Sequence, residues 1–217
     1  MSDLRFRPIL VRAVDIAVAL VGLVTLAPLF AFAALWIAGK DGTPVFFRQI
    51  RIGRRGRPFE ILKFRTMSGA SSGPAITVAG DRRVTQVGAW LRLFKIDELP
   101  QLVNVLRGEM SLIGPRPEVP EYVDLDTPVW QRVLAMRPGI TDLASLAGRN
   151  EEEMLSPAAD PDAYYRAVIL PEKLQLNLRY QLTRTWWRDL KLLWMTAWYC
   201  LFPRAFDRER VIRSLGD

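Results

Sequence analysis

The chain has 217 residues, half of them apolar, with a formal net charge of +7, a single cysteine and no histidine. That length suits one compact domain with appendages and is enough to bury a core. The missing histidine excludes Ser-His and Cys-His nucleophile systems, His-ligated zinc and an imidazole base, and the lone Cys200 excludes an intrachain disulfide and fits a reducing compartment.

In chain order, the first element is the run IAVALVGLVTLAPLFAFAALWIAG from Ile16 to Gly39, which carries no charge. At ~1.5 Å per residue it is long enough for a hydrocarbon core of ~30 Å. It exceeds a secretory h-region and lacks a convincing cleavage site, so it reads as a membrane segment. Two forms are open: a spanning helix with a tolerated proline, or a re-entrant one. Pro28, near the middle, removes a backbone hydrogen bond and predicts a break. Both flanks are basic, with Arg5, Arg7 and Arg12 before the run and Lys40, Arg48, Arg51, Arg54, Arg55 and Arg57 after it. The positive-inside rule is met on both sides only by a helix that dips in and returns.

Next, TPVFFRQIRIGRRGRPFEILKFRTM predicts two short strands around a GRRGR turn, with Val45, Phe46, Ile50, Ile52, Phe59, Ile61 and Phe64 as β-favouring residues. Residues 67–80 are rich in Ser, Gly and Ala and read as a mobile loop. Helical periodicity covers Val84–Phe94 and then Asp97 to about Leu106, stopped by Gly108. Asn150 and Asp160 are placed as helix N-caps, and Pro161 and Pro171 suit first-turn positions. Trp186, Trp187, Trp194, Trp198 and Tyr199 crowd one late helix with Arg188 and Lys191, which fits a bilayer interface or an aromatic core helix. Asp189 is expected to pair locally with Arg188 or Lys191, and Tyr164 and Tyr165 to pack.

The basic stretch from Lys40 to Arg65 sits beside the membrane run, where it meets anionic headgroups or phosphate-bearing substrates more simply than nucleic acid. No helix-turn-helix, aromatic RNA-binding signature or finger spacing supports a nucleic-acid partner.

The adjacent acids Asp97 and Glu98 precede Pro100 at a predicted helix start, where positive potential keeps a carboxylate ionised and welcomes anions. Asp97 is there either a cap or a nucleophile beside a phosphate site. Lys63, Arg65, Arg92, Lys95, Arg107 and Arg116 lie nearby in sequence, and such a set suits a polyanion with a divalent cation.

KFRTM at 63–67, DELPQLVNVLRGEMSLIGPRP at 97–117 and RPGIT at 137–141 resemble the bacterial sugar transferase family, the monotopic phosphoglycosyl transferases. The likeness runs from the apolar segment to the RDLKLL helix. It implies a mixed α/β, mostly helical protein, with residues 1–40 as a re-entrant membrane helix broken at Pro28 and residues 41–217 as one catalytic domain with a β-hairpin and interfacial amphipathic helices at the cytoplasmic face of the bacterial inner membrane. It implies transfer of a sugar 1-phosphate from a UDP-sugar to polyprenol phosphate, releasing UMP, as the first membrane step of glycan assembly. Asp97 is then the nucleophile of a covalent phospho-sugar intermediate and Glu98, with Asp97, the Mg²⁺ site; Lys63, Arg65, Arg92 and Arg116 are candidates for phosphate and nucleotide contacts.

The rivals are a UDP-releasing glycosyltransferase and a non-catalytic membrane scaffold. The oligomeric state stays open, a homodimer included. Departures from the family pattern are Ala27-Pro28 where Ser-Pro is common, with Thr25 as a substitute hydroxyl, Asp142 where Gly is common, and Asn177 near where some relatives carry an acid.

Overall fold

The computed structural model describes residues 8–69 and 76–215, so Arg5, Arg7 and residues 70–75 of the expected loop lie outside the described residues. Helix α1 (Pro8–Thr25) and helix α2 (Ala27–Lys40) form a pair bent by 60°. Pro28, in the first turn of α2, has no N–H to offer the preceding turn. Thr25 Oγ1 donates one turn back to the Val21 carbonyl at 2.8 Å, not to the Val24 carbonyl that Pro28 frees, so it does not take the place of a serine at position 27. Among the described residues no single helix is long and apolar enough to cross a membrane, but the bent pair taken together is.

Strand β1 (Phe46–Ile52) and strand β2 (Pro58–Phe64) pair antiparallel, Phe46 opposite Phe64 and Ile52 opposite Pro58, around the expected Gly53–Arg57 turn. Thr85 Oγ1 accepts from Gly88 N at 2.9 Å and starts helix α3 (Gln86–Leu93). Helix α4 (Gln101–Arg107) begins later than the sequence predicts. Ile96–Glu98 form a separate 3₁₀ turn and Pro100 occupies the N-cap of α4, so Asp97 caps nothing. The physical reason is Lys95, whose left-handed backbone (φ 56°) reverses the chain after α3 and turns the two acids inward. Gly108 (φ 84°) ends α4 as expected.

Strand β3 (Ser111–Ile113) runs parallel to strand β4 (Gly139–Thr141), with helix α5 (Pro128–Val133) between them in sequence. Helix α6 (Leu143–Ala147) and helix α7 (Glu151–Leu155) follow. Asp160 caps helix α8 (Pro161–Tyr164) through a 3.0 Å bond from Ala163 N, whereas Asn150 makes no cap bond. A π-helical turn at Tyr165–Ile169 joins α8 to helix α9 (Leu170–Thr183), which absorbs Pro171 without a break. Helix α10 (Trp186–Leu201) and helix α11 (Arg208–Leu215) complete the chain.

The main core joins Val105, Met110, Leu112, Leu143, Leu192 and Leu215, so α4, β3, α6, α10 and α11 share one interior. Two apolar faces lie outside it. On α10, Trp187, Leu190, Trp194, Trp198 and Leu201 are exposed at helical spacing, while Leu192, Met195 and Tyr199 are buried. On the bent pair, Ile9, Val21, Val24 and Leu35 are exposed, while Ala19, Ala33 and Ile37 face the body with no accessible surface. Asp189 pairs with Arg184 and accepts from Tyr180 OH at 2.8 Å, rather than pairing with Arg188 or Lys191.

Polar anchors fix α1 to the body. Arg12 donates to the Val105 and Leu106 carbonyls at 2.6 and 3.0 Å, satisfying the last turn of α4. Asp15 is buried and accepts from Ser111 Oγ at 2.7 Å and Leu112 N at 3.1 Å. Asp15→Ala leaves both donors unsatisfied, so thermal unfolding in detergent should show a loss of roughly 2–3 kcal/mol; an unchanged melting temperature would mean that the apolar contacts alone hold α1.

Candidate active site

The β-hairpin, the 3₁₀ turn and the loop after β3 converge on Glu98. Its Oε1 accepts from Lys63 Nζ at 3.0 Å and from Arg116 Nη2 at 2.7 Å, and its Oε2 accepts from Arg116 Nη1 at 3.1 Å. The Arg116 fork is bidentate, the geometry in which a guanidinium holds a carboxylate most firmly. Burial opposes the charge on Glu98, but Arg116 and Lys63 outweigh it and hold the carboxyl well below its usual range. Glu98 in turn raises the Arg116 pKa, whereas burial pushes the Lys63 ammonium down to about 8 against the pull of Glu98.

Asp97, one residue earlier, has the opposite environment. It is 7% exposed, receives no hydrogen bond among the described residues, and its Oδ1 is fully buried. Burial, then the neighbouring Glu98 charge, push its carboxyl up, while Lys63, Lys95 and Arg92 pull the other way. Two adjacent carboxyls are thus driven apart, one locked as an anion by cations and one free and more basic. Such a split assigns different chemical roles to like groups.

Arg116 owes its position to contacts that no motif announces. Its backbone N–H donates to Asp142 Oδ2 at 3.1 Å, and Asp142 also caps α6 by accepting from Ser145 N at 3.0 Å. The departure at position 142 therefore ties the Pro-Arg-Pro turn to a helix start. Arg51 Nη1 donates to the Pro117 carbonyl at 3.0 Å, and Ile52 N to the Glu118 carbonyl at 2.9 Å, joining the turn to the hairpin. Gly114 and Gly139 pack backbone to backbone: a Cβ on Gly139 would lie 2.1 Å from Gly114 N. RPGIT is a glycine motif because it forms β4 against the strand that leads into Arg116.

Behind the turn, Glu118 is buried and accepts from Lys173 Nζ and Tyr165 OH, each at 2.8 Å. Tyr165 thus does more than pack.

Of the other expected residues, Arg92 donates to Thr66 Oγ1 and Glu152 Oε1, each at 3.0 Å, at the margin of the site. Arg65 points elsewhere, with Nη2 donating to the Asp41 carbonyl at 2.6 Å beyond the end of α2. Asn177 is buried on α9.

Among the described residues no group of three His, Cys, Asp or Glu side chains converges, so there is no all-protein metal cage. Asp97 Oδ1 is an unpaired buried oxygen, while Glu98 has both oxygens on cations. A divalent cation would therefore find one unengaged carboxylate here, Asp97, and its remaining ligands would have to come from water and phosphate oxygens.

Residues 6–203 match the family described as "Bacterial sugar transferase". The chain belongs to that family. This bacterial sugar transferase is 39% identical over 192 residues to the "UDP-glucose:undecaprenyl-phosphate glucose-1-phosphate transferase" of Caulobacter vibrioides, covering 86% of this chain and 67% of that protein. It is 35% identical over 189 residues to the "Uncharacterized sugar transferase EpsL" of Bacillus subtilis, covering 87% and 86%. It is also 41% identical over 140 residues to an N-acetylgalactosaminephosphotransferase of Aeromonas hydrophila, covering 62% and 33%.

Burial alone would raise the Glu118 carboxyl of this sugar transferase, but Lys173 and Arg51, with the bonds from Lys173 and Tyr165, hold it at about 2. A depressed folded pKa adds stability above the unfolded value of ~4.3 that is lost as pH falls toward 2, on the order of 3 kcal/mol in full. Glu118→Gln should flatten the stability loss between pH 5 and roughly 2, measured by urea unfolding in detergent. An acid limb identical to the parent's would mean that Glu118 is not held low.

Proposed function

We propose that this bacterial sugar transferase moves a sugar 1-phosphate from a UDP-sugar to undecaprenyl phosphate and releases UMP. The observation that carries the reading is the unpaired Asp97 carboxylate beside a Glu98 clamped by Arg116 and Lys63. The names of the Caulobacter and Aeromonas relatives supply the donor and acceptor classes, a UDP-sugar and undecaprenyl phosphate. Those two names differ in the sugar, so membership of the family leaves the donor sugar of this chain to experiment.

The reaction runs in two displacements. An oxygen of Asp97 attacks the phosphorus that bears the sugar, the bond from that phosphorus to the bridging oxygen breaks, and UMP leaves with the electron pair. A phosphate oxygen of the acceptor then attacks the same phosphorus, the bond to Asp97 breaks, and the carboxylate returns as the polyprenyl-diphosphate sugar departs. Two polyanions therefore never have to react directly with each other. The raised basicity of Asp97 strengthens it as a nucleophile. Lys63, Arg92 and Arg116 neutralise donor phosphates at the site's edge, and Glu98 keeps Lys63 and Arg116 in place. A Mg²⁺ held by Asp97, and by Glu98 when it releases a cation, would neutralise charge on the leaving UMP.

The acceptor is a lipid, and two apolar faces support a membrane setting. The exposed face of α1 and α2 suits a re-entrant insertion bent at Pro28, and the tryptophan stripe of α10 suits the headgroup layer. Basic flanks on both sides of the pair favour the cytoplasmic face. In this reading residues 1–40 anchor the catalytic unit formed by residues 41–217.

Purified chain in nanodiscs, given Mg²⁺ and a panel of UDP-sugars, should release UMP from its donor as a stoichiometric burst without undecaprenyl phosphate and over many turnovers once that acceptor is added. Asp97→Asn should lower that rate by at least about 10³-fold. Release of UDP would make this an ordinary glycosyltransferase, and a rate insensitive to Asp97→Asn would remove the nucleophile.

A further inference from the structure

The GRRGR turn is not used by the chemistry above. Arg54, Arg55 and Arg57 of that turn, with Arg107 at the end of α4 and Arg137 before β4, line a cleft of about 400 Å³. The cleft is held rigidly. Arg55 N donates to the Leu134 carbonyl at 2.8 Å, Arg54 Nε to the Ala135 carbonyl at 3.0 Å, and a Cβ on Gly56 would stand 3.0 Å from Leu125. Glu109 is the carboxylate of the lining, and it already accepts from Asn104 Nδ2 at 2.7 Å. Among the described residues, the guanidiniums of Arg55, Arg57, Arg107 and Arg137 have no carboxylate partner.

Guanidiniums gathered in a concavity with one carboxylate among them repel one another, and an anion that enters relieves the repulsion. Guanidinium forks match phosphate oxygens in particular.

This cleft is separate from the Asp97 centre. Lys63 of β2 touches Glu98, whereas Pro58, at the opposite end of the same strand, lines the cleft. They are five residue steps apart along the strand, about 17 Å. The cleft also lies where α1 starts. A Cβ on Gly108, in the lining, would be 3.5 Å from Arg12 Nη2, and Arg12 precedes the apolar run by one helical turn. The cleft therefore lies at the foot of α1, just before the apolar run begins.

We propose that this cleft is a second phosphate site, which takes the phosphodiester headgroup of an anionic membrane lipid. Binding there adds an electrostatic hold at the foot of α1 to the apolar hold of the bent pair and of α10. The proposal rests on the membrane setting argued above but not on chemistry at Asp97, so a failure of the transfer reaction leaves it standing. A soluble phosphate offers the same oxygens, and the test separates the two sources.

Full-length chain in neutral-detergent micelles is titrated with short-chain phosphatidylglycerol, with short-chain phosphatidylcholine and with inorganic phosphate. The parent is compared with the triple variant Arg55→Gln, Arg57→Gln, Arg107→Gln, whose melting temperature and UMP release serve as folding controls. The parent should prefer phosphatidylglycerol over phosphatidylcholine by at least about tenfold, and the variant should lose that preference. A variant-sensitive affinity for inorganic phosphate without a lipid preference would keep the phosphate site and assign it to a soluble ligand. Equal binding of both anions by parent and variant would overturn the proposal.

Discussion

The bidentate pair between Arg116 and Glu98 is the contact on which the rest of the site depends. Glu98 sits in a 3₁₀ turn set by the left-handed backbone of Lys95, and Arg116 sits in a turn between two prolines after β3. Nothing in local structure brings these turns together. Their pairing, with Lys63 from the hairpin on the same oxygen, locks three segments of chain around one buried charge. Removing Glu98 would leave the buried Lys63 ammonium without its carboxylate, which is far costlier than losing a surface ion pair. Asp97 gains its character from this arrangement: its neighbour uses the nearby cations first and leaves it unpaired, buried and more basic.

A second layer of polar contacts keeps Arg116 where it is. Asp142 holds its backbone, Arg51 and Ile52 tie the turn to the hairpin, and Lys173 and Tyr165 hold Glu118 behind it. The close approach of Gly114 and Gly139 lets β3 and β4 run side by side beneath it. The bent N-terminal pair is built on the same plan. Its apolar outer face looks away from the body, while Arg12 and Asp15 on its inner face satisfy backbone groups of α4 and β3. The bent pair is thus joined to the site through the helix that follows the dyad.

Much of this was legible in the sequence. Pro28 marks the bend, the GRRGR turn marks the hairpin, and Gly108 marks the end of α4; of the aromatic cluster on α10, Trp187, Trp194 and Trp198 are exposed, whereas Tyr199 turns into the core. The family resemblance supplied the dyad, and the structure gathers Lys63 and Arg116 onto Glu98. What the sequence hid depends on long-range pairing. Asp97 reads as an N-cap because a Pro two or three residues on usually sits in a first helical turn; the left-handed Lys95 that displaces the helix start has no propensity signal. Arg65 shares a motif with Lys63, yet it lies past the end of β2, and its guanidinium reaches the Asp41 carbonyl beyond α2 instead of Glu98. Asp15 and Arg12 look like the polar edge of an apolar run, because the groups they satisfy lie about ninety residues later in the chain.

The central claim is that Asp97 carries the sugar phosphate covalently between donor and acceptor. The most direct measurement is the intact mass of the purified chain after incubation with Mg²⁺ and its UDP-sugar in the absence of undecaprenyl phosphate, followed by mapping of the modified peptide. The account predicts a mass increase of one sugar phosphate on the peptide that contains Asp97, cleared by added acceptor and missing in Asp97→Asn. An unmodified chain that nonetheless turns over once acceptor is supplied would contradict it, and the reaction would then be a direct transfer with Asp97 in a supporting role.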